Sequence, residues 1–469
     1  MQQSLSQWKR RRREEGGGTP VLREGVRVTL ADRRPDYAQA VMAELTFVPR
    51  QYFDKGTPPQ PVRCYVAEEG GTLLLPRCYR GAPPAEDRLS DGEPFAGRFA
   101  GELNPLQQTA AERTLEVVRA APHAAMLVLP CGFGKTVVGL HLAAALGRKT
   151  LVVVHKEFLM NQWLQRIGTF LPGARTGVIQ QQKLEAEADV VVAMLQTLCV
   201  RALPPECLAS FGTVILDEAH HLAAPYFSQL FFKLPCRHVI GLTATPRRSD
   251  GCADILHLFM GPFSFQVTQR TDDGLVVQRA LWPVHYSCRP EPTPVDVQRL
   301  KTRVTGDAAR NDFIVGICVA AADARRQVLC LSDRIEHLRD LRERFAAARP
   351  AVPVALYIGG RARGNLEERR RAETEARVLF GSFAMSSEGL DVPRLDTLVM
   401  ATPIGNVTQA IGRILRPCAD KQPPVVVDVV DDCRAFAGLD QARRAYYARS
   451  AFAVEDCAHA HFALVNEAP

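Results

Sequence analysis

The chain has 469 residues, 46% hydrophobic and 23% charged, a composition that excludes a disordered or collagen-like protein. Its 58 lysines and arginines outnumber its 51 aspartates and glutamates, and the net charge of +7 permits a polyanionic partner without establishing one. At roughly 150 residues per domain, this length predicts about three domains.

The first 100 residues show weak hydrophobic periodicity and several chain breakers. Glycine and proline clusters, which favour turns, recur at 16–18, 57–59, 83–84 and 91–92. We therefore expect residues 1–100 to form a loop-rich N-terminal accessory region with short strands.

From about Leu103 the pattern changes to short apolar runs separated by helix-like stretches. Such alternation is typical of a parallel sheet that helices cover on both faces. The candidate strands are 125–129, 150–155, 190–195, 213–216 and 238–242, and 136–146 is a candidate helix. We assign residues 101–286 to one α/β domain.

A proline-rich break follows, Arg289-Pro-Glu-Pro-Thr-Pro294, and predicts a linker over 287–305 because each proline removes a backbone donor. The alternation of strand and helix then resumes. Its candidate strands are 328–331, 354–358, 378–381, 397–401 and 425–430, with a helix over 334–348. The predicted fold class is therefore α/β, with two tandem domains built on parallel sheets, the second covering 306–469.

A candidate phosphate-binding loop, Leu129-Pro-Cys-Gly-Phe-Gly-Lys-Thr136, follows a strand and opens a helix. Gly132 and Gly134 would let backbone N–H groups approach phosphate, and the helix N-terminus adds a favourable dipole. Lys135 would reach the β- and γ-phosphates, and Thr136 would place its hydroxyl on Mg²⁺. The first glycine of the general pattern is replaced by Leu129, so the bare motif is imperfect.

A second motif, Asp217-Glu-Ala-His220, ends the candidate strand 213–216 at the edge where open sheets bind ligands. Asp217 can hold Mg²⁺ through its water shell, and Glu218 can orient or deprotonate an attacking water. The structural alternative is an acidic strand-to-helix cap. A zinc site is a poor rival, because the segment lacks the i, i+4 histidine pair of a metalloprotease helix.

With these motifs in order, the chain resembles the superfamily 2 helicases of the DEAH-box type from Leu103 to about Arg416. Further matching segments are Leu103-Asn-Pro-Leu-Gln107, Val154-His-Lys-Glu-Phe-Leu-Met-Asn-Gln-Trp163, Ala193-Met-Leu-Gln-Thr197, Gly241-Leu-Thr-Ala-Thr-Pro246, Gly381-Ser-Phe-Ala-Met-Ser-Ser-Glu-Gly-Leu-Asp391 and Gln409-Ala-Ile-Gly-Arg-Ile-Leu-Arg416. The phosphate loop and the run after Pro246 are most similar to the xeroderma-pigmentosum-B type and the phage recombination helicases. The N-terminal region also resembles helicases of nucleocytoplasmic large DNA viruses.

The resemblance implies two RecA-like domains with ATP and Mg²⁺ bound between them. The residues that it implies in nucleotide binding are Gln107, Pro130, Cys131, Gly132, Phe133, Gly134, Lys135, Thr136, Gly389 and Asp391, with Thr136 and Asp217 toward the metal. One departure is that Asn104 and Leu106 stand where this branch has arginine and tyrosine, which bears on selectivity for adenine.

The resemblance also implies that the second domain takes part in catalysis. Arg413 and Arg416, expected one helical turn apart on a shared helix face, would stabilise the transferring phosphoryl group beside Gln409. The alternative for the pair is a solvated basic helix face. The catalytic set implied is Lys135, Asp217, Glu218, Gln409, Arg413 and Arg416.

Nucleic acid would cross both domains and be held through its phosphates. His155, Lys156, Thr197, Arg248 and Ser382 lie in or beside the matching segments that line this path. Thr243 and Thr245 are candidates for coupling the two sites, with ordinary strand and turn residues as the alternative. Phe133, Trp163 and Phe383 are equally well explained as base-stacking wedges or as core packing.

The expected function is an ATP-dependent DNA or RNA helicase or translocase, with DNA favoured as partner. The alternatives are an ATP-gated clamp or transcription-complex remodeller that does not separate strands, and a catalytically silent scaffold. Transcription or replication proteins are further candidate partners.

The 13 cysteines form no C-x-x-C pair and fit free thiols in a reducing compartment. No apolar run approaches the ~18 residues of a membrane span. We therefore expect a soluble intracellular protein, with a monomer favoured, which a viral origin would place in the nucleus or cytoplasm of the host.

Overall fold

The structure is a computed structural model. It describes residues 20–31, 33–34, 36–49, 60–130, 132–220, 228–244, 251–267, 276–282, 297–358, 371–388, 390, 392–416, 418–431, 433–450 and 452–458. The chain divides into two compact units, and the division falls between Thr268 and Gln269. Among the described residues, no helix is both long enough and apolar enough to cross a membrane.

The described part of the N-terminal region contains short strands, as expected, and also a helix. Its elements are β1 Val21–Leu22, β2 Val26–Thr29, α1 Tyr37–Glu44, β3 Thr46–Phe47, β4 Val62–Arg63, β5 Val66–Glu68, β6 Thr72–Leu75 and β7 Glu86–Asp87. The strand order is β5-β6-β2-β1-β7, and β3 pairs with β4. Buried side chains of this region, such as Val28 and Leu73, share one hydrophobic core with Phe232 and Phe259 of the following domain. The region is therefore an integral part of the first unit.

The main sheet of the first unit has eight strands. They are β8 Ala124–Val128, β9 Thr150–Val154, β10 Thr176–Gln180, β11 Lys183–Leu184, β12 Val190–Met194, β13 Thr213–Leu216, β14 His238–Thr243 and β15 Phe263–Gln266. The order is β11-β10-β12-β9-β13-β14-β8-β15, and all neighbours pair in parallel except β10 with β11. The central strands are fully buried, as near-continuous Val, Leu and Ile runs require.

Helices connect these strands. They are α2 Pro105–Arg119, α3 Lys135–Leu146, α4 Glu157–Phe170, α5 Leu195–Val200, α6 Pro205–Ala209 and α7 Asp254–Met260, with a 3₁₀ helix at Ser228–Lys233. Since the strands are parallel, the carboxyl ends of β8, β9, β12, β13 and β14 meet at one edge of the sheet. Each of the main motifs in this unit follows one of these strand ends.

The second unit has a seven-stranded, fully parallel sheet. Its strands are β16 Val276–Trp282, β17 Val328–Ser332, β18 Val354–Tyr357, β19 Val378–Ser382, β20 Thr397–Met400, β21 Val425–Asp431 and β22 Ala453–Ala458, in the order β18-β19-β17-β20-β21-β16-β22. The helices with described bounds in this unit are α8 Val297–Thr305, α9 Ala308–Asp323, α10 Ile335–Ala348, α11 Phe383–Glu388, α12 Thr408–Ile414 and α13 Ala437–Arg449, with a 3₁₀ helix at Arg434–Phe436. Residues 371–375 are also helical.

The boundary predicted at 286/287 lies too far along the chain. Strand β16 falls within the range assigned to the first domain, yet it pairs with β21 and β22 of the second sheet. The range assigned to the linker, 287–305, also contains helix α8, whose Leu300 and Val304 are buried against Phe436. The proline-rich segment itself lies outside the described residues. An apolar run before a proline cluster predicts the end of one domain. Only the strand pairing in the structure shows that β16 begins the next domain.

Candidate functional site

The phosphate-loop candidate follows β8 and opens α3, as the motif requires. Gly132 and Gly134 have φ of +78° and +91°, in the left-handed region that glycine adopts without strain. Gly134 is the N-cap residue of α3 and brings no side chain to cap the first turn. The first N–H groups of the helix therefore point into the loop, which is the arrangement that binds an anion.

Gln107 lies against this loop from the start of α2. Its side chain and that of Asn104 form a capping box, in which Asn104 N donates to Gln107 Oε1 at 3.0 Å and Gln107 N donates to Asn104 Oδ1 at 2.8 Å. A Cβ at Gly134 would come within 2.6 Å of Gln107 Nε2. Glycine at 134 thus keeps the loop and Gln107 in close approach.

Asp217 and Glu218 follow β13 directly and are held in different ways. Asp217 is buried, and its backbone N–H donates to Val153 O at 3.0 Å. Glu218 has φ of +47°, a conformation that is uncommon for residues other than glycine. Such conformations recur at functional sites. The carboxylate Oε1 of Glu218 lies 3.8 Å from Lys135 Nζ. The motif lysine and the motif glutamate therefore meet across the strand ends.

The charge balance of this cluster favours a bound cation. Burial, together with the neighbouring Glu218 carboxylate, raises the pKa of Asp217 to about 6 despite the opposing effects of Trp163 and Lys135. Two adjacent carboxylates face one ammonium group in a desolvated pocket, so a divalent cation would remove the excess negative charge. Oxygen donors such as Asp217 and the Thr136 hydroxyl at the start of α3 are those that Mg²⁺ prefers. The residues present therefore fit the expected metal.

His220 connects this cluster to the neighbouring strand β14. Its Nδ1 lies 3.1 Å from Thr243 Oγ1, within hydrogen-bonding distance, and 3.4 Å from Glu218 Oε2. Thr243 is fully buried at the end of β14, and its carbonyl accepts from Leu129 N at 3.0 Å. The second motif, the Thr243 segment and the phosphate loop are thus joined by a continuous set of contacts.

Trp163 belongs to this site, although the sequence did not identify it as such. Its ring is completely buried, so it is not exposed for base stacking. Its indole Nε1 donates to Asp217 Oδ2 at 2.8 Å, while Glu218 N donates to Asp217 Oδ1 at 3.0 Å. Phe383, another of the aromatic candidates, is also buried. No periodicity in the sequence relates residue 163 to residue 217, because the contact depends on the order of β9 and β13 in the sheet.

His155, Lys156 and Thr197 lie at the same edge of the sheet, after β9 and β12. Gln196 Nε2 donates to His155 O at 2.8 Å, and Gln181 N donates to Thr197 Oγ1 at 3.0 Å. Lys156 precedes α4, and partial burial lowers its pKa. The structure therefore brings these three candidates to one edge, although both described contacts of His155 and Thr197 are internal to the protein.

In the second unit, the expected geometry of the arginine pair is wrong. Helix α12 ends at Ile414, so Arg416 follows the helix instead of lying one turn after Arg413 on its face. The sequence explains this end, since Pro417 disfavours helical backbone at the residue before it. Arg413 is buried and donates from Nη1 to Leu390 O at 2.9 Å, whereas Arg416 is half-buried.

The remaining candidates of the second unit differ in their surroundings. Gln409 is half-buried on α12. Ser382 Oγ accepts from Met385 N at 3.2 Å at the start of α11, which is an ordinary capping contact. Five candidates lie outside the described residues: Cys131, Thr245, Arg248, Gly389 and Asp391.

Comparison with known proteins gives likenesses in both sequence and fold. Residues 100–248 match a family described as the type III restriction enzyme, res subunit. A protein of Acanthamoeba polyphaga mimivirus, provisionally named an ATP-dependent RNA helicase, is 28% identical over 88% of this chain and 82% of its own length. A protein of Escherichia phage T5, provisionally named a helicase, is 28% identical over 66% of this chain and 68% of its own.

Among solved structures, the ATP-dependent type ISP restriction-modification enzyme LlaBIII, bound to DNA, matches with a TM-score of 0.54 and 16% identity. The match covers 77% of this chain and 32% of that enzyme, so the chain spans about a third of its length. At this identity the likeness concerns the fold alone. Together with the two parallel sheets, it confirms the expected pair of RecA-like α/β domains.

Proposed function

We propose that this chain, an ATP-hydrolysing enzyme of the superfamily 2 helicases, couples hydrolysis to movement along nucleic acid or to its unwinding. The observation that carries the proposal is the cluster at the carboxyl edge of the first sheet, where Lys135 lies 3.8 Å from Glu218 beside the buried Asp217. This cluster provides a phosphate ligand, a metal ligand and a base within one site.

The phosphate loop binds the triphosphate. The N–H groups at the start of α3 and the Lys135 ammonium compensate the phosphate charge, with Gly132, Phe133 and Gly134 following its contour and Pro130 and Cys131 flanking it. Thr136 and Asp217 hold Mg²⁺, which when bound neutralises charge on the phosphates. Gln107, fixed against Gly134 by its capping box, contacts the base.

Glu218 orients and deprotonates the attacking water. Its Oε1 faces Lys135 and its Oε2 lies 3.4 Å from His220, so the carboxylate is held between two nitrogen groups on the phosphate side of the strand ends. A positioned general base of this kind accelerates hydrolysis by about 10² to 10⁴-fold. His220 and its partner Thr243 would transmit changes at this carboxylate to strand β14. Thr245, the other candidate for coupling, lies two residues after Thr243 in the sequence.

The second domain supplies positive charge to the transferring phosphoryl group. We assign Arg416 the direct contact, because Arg413 is buried and its guanidinium donates to Leu390 O. Arg413 and Gln409 then support α12, and Gly389 and Asp391 contact the nucleotide.

Nucleic acid binds along the edge that presents His155, Lys156 and Thr197, with Arg248 and Ser382 further along the path. These residues would bind phosphates, so the binding is independent of sequence. We favour DNA, in line with the DNA-bound restriction enzyme, although the mimivirus relative is provisionally named for RNA. The viral relatives make replication or transcription proteins reasonable partners.

Steady-state ATP hydrolysis tests the proposal. Turnover is measured for the protein alone and with single-stranded DNA, duplex DNA or RNA, and Lys135→Ala controls for contaminating ATPases. We expect one polymer to stimulate turnover and the variant to abolish it. Wild-type turnover in Lys135→Ala would contradict the assignment of the site.

An ATP-gated clamp or remodeller that leaves strands paired is the second candidate. It is favoured by the burial of Trp163 and Phe383, which removes two of the three aromatic candidates for a strand-separating wedge. Displacement of a labelled strand from a duplex distinguishes the two functions. Stimulated turnover without displacement would favour the clamp or remodeller.

A further inference from the structure

The indole of Trp163 is placed where it can control the shape of the hydrolytic site. The ring extends from α4 and is completely buried against α3. Any large apolar side chain could fill this buried position. What distinguishes tryptophan here is its N–H group, which donates to Asp217 Oδ2 at 2.8 Å. A buried hydrogen bond to a carboxylate is stronger than one between two neutral groups.

Both oxygens of the Asp217 carboxylate are thereby oriented. Oδ2 accepts from the indole and Oδ1 accepts from Glu218 N at 3.0 Å, so two donors from different elements fix the plane of the carboxylate. Each oxygen keeps a second lone pair. The carboxylate can therefore face the water shell of a cation while remaining fixed from behind.

The phosphate-loop helix leaves room for this ring. Gly139 of α3 lies against it, and a Cβ at Gly139 would be 3.0 Å from Trp163 Cη2 and 3.1 Å from Leu242 Cδ1. The indole thus contacts the helix that opens with Lys135 and the strand end that presents Asp217. Trp163 itself belongs to α4, which begins directly after Lys156.

We propose that Trp163 is a positioning residue, whose indole N–H holds the Asp217 carboxylate in the orientation that Mg²⁺–nucleotide binding requires and ties it to helix α4. The inference rests on the proposed function, because it takes the ATP site from there. Partners that orient a metal-binding group behind the metal change affinity or activity about 10 to 100-fold when removed.

The test measures binding of the non-hydrolysed analogue AMP-PNP to the full chain by calorimetry, once with excess MgCl₂ and once with EDTA. The ratio of the Kd in EDTA to the Kd in MgCl₂ measures how much Mg²⁺ strengthens binding. In Trp163→Phe, which keeps a buried ring but removes the N–H, we expect this ratio to fall about tenfold while Kd in EDTA stays within twofold of wild type.

Ile167→Val is the matched control. Ile167 is completely buried one helical turn further along α4, and it makes no hydrogen bond to Asp217, so this variant should keep the wild-type ratio. Gly139→Ala is the second test variant, because it crowds the indole while keeping every hydrogen-bonding group and raising helix propensity. It should lower the ratio in the same direction, and it decides the question alone if Trp163→Phe does not fold.

A ratio equal to that of Ile167→Val in both test variants overturns the inference. The failure of the proposed function would be distinct, since Lys135→Ala would then bind AMP-PNP as tightly as wild type. A loss of affinity in EDTA as large as that in MgCl₂ would also overturn the inference, because it would show general damage to the site.

Discussion

At the scale of single residues, the candidate site brings two carboxylates and an ammonium group together. Asp217 and Glu218 are adjacent, and burial together with the Glu218 carboxylate raises the pKa of Asp217 to about 6. Lys135 offsets part of this charge at 3.8 Å from Glu218. This arrangement of charges therefore favours the binding of a cation, and of phosphate by the Lys135 ammonium group, over the stability of the fold.

Replacing Glu218 with Gln should separate binding from hydrolysis. The amide keeps the size of the side chain but cannot accept a proton, so kcat should fall by at least about 100-fold. Removing a negative charge beside the triphosphate should leave AMP-PNP affinity unchanged or higher. Turnover and calorimetric binding measure the two effects, and turnover within about threefold of wild type would show that Glu218 is not the base.

His337 shows how a buried polar network stabilises the second domain. Its Nε2 donates to Asn311 Oδ1 at 3.0 Å and its Nδ1 accepts from Ser332 Oγ at 3.0 Å, so the neutral imidazole is fully bonded. Burial, together with nearby Arg310, lowers the pKa of His337 to about 3 despite the opposing effects of Asp340 and Asp333.

This network predicts a pH-dependent stability. Between about pH 3 and the ordinary value of 6.5, the unfolded chain binds a proton at His337 that the folded chain does not. The stabilisation is therefore complete above pH 6.5 and decreases as the pH falls, by roughly 1 kcal/mol at pH 5.5. In His337→Asn, which cannot titrate, the difference in Tm between pH 7.5 and 5.5 should be smaller than in wild type. An equal difference in both proteins would refute the assignment.

At the scale of elements, local pattern predicts the strands well and their neighbours poorly. The strand predicted at 213–216 has those bounds, the one predicted at 125–129 is shifted by one residue to 124–128, and the other predicted strands of both sheets differ by one residue at one end. Buried parallel strands are apolar throughout, so each is recognisable from its own residues. The place of β16 and the bond between Trp163 and Asp217 depend on strand order, which no local pattern encodes. Pro417 predicts that α12 ends before Arg416, but the expected pairing of Arg413 and Arg416 on one helix face did not take this proline into account.

Strand β16 should be required for the second domain to fold. It lies between β21 and β22, and Val277 is completely buried. A fragment 269–469 should unfold cooperatively, whereas a fragment 287–469, which starts at the boundary expected from the prolines, should have a Tm roughly 10 °C lower or no cooperative transition. Calorimetry of both fragments checks this. Equal Tm values would mean that β16 is dispensable.

At the scale of the whole molecule, the chain combines two parallel-sheet units with an N-terminal region that shares the core of the first. The motifs predicted a phosphate loop and an acidic pair, each after a strand end, and the structure brings Lys135 and Glu218 to 3.8 Å from one another at the same sheet edge. The resemblance supplied the assignment of the second domain to catalysis. Motifs cannot predict whether ATP hydrolysis drives movement along nucleic acid, because binding, turnover and movement use the same residues.

Movement along the strand is therefore the most direct test of the central claim. Streptavidin bound to the end of a single-stranded DNA is displaced by a protein that travels toward it, and Glu218→Gln provides the matched control. We predict ATP-dependent displacement from one end only, and we expect the Glu218→Gln variant to lose it. ATP turnover that the strand stimulates, with displacement no faster than without ATP, would contradict it.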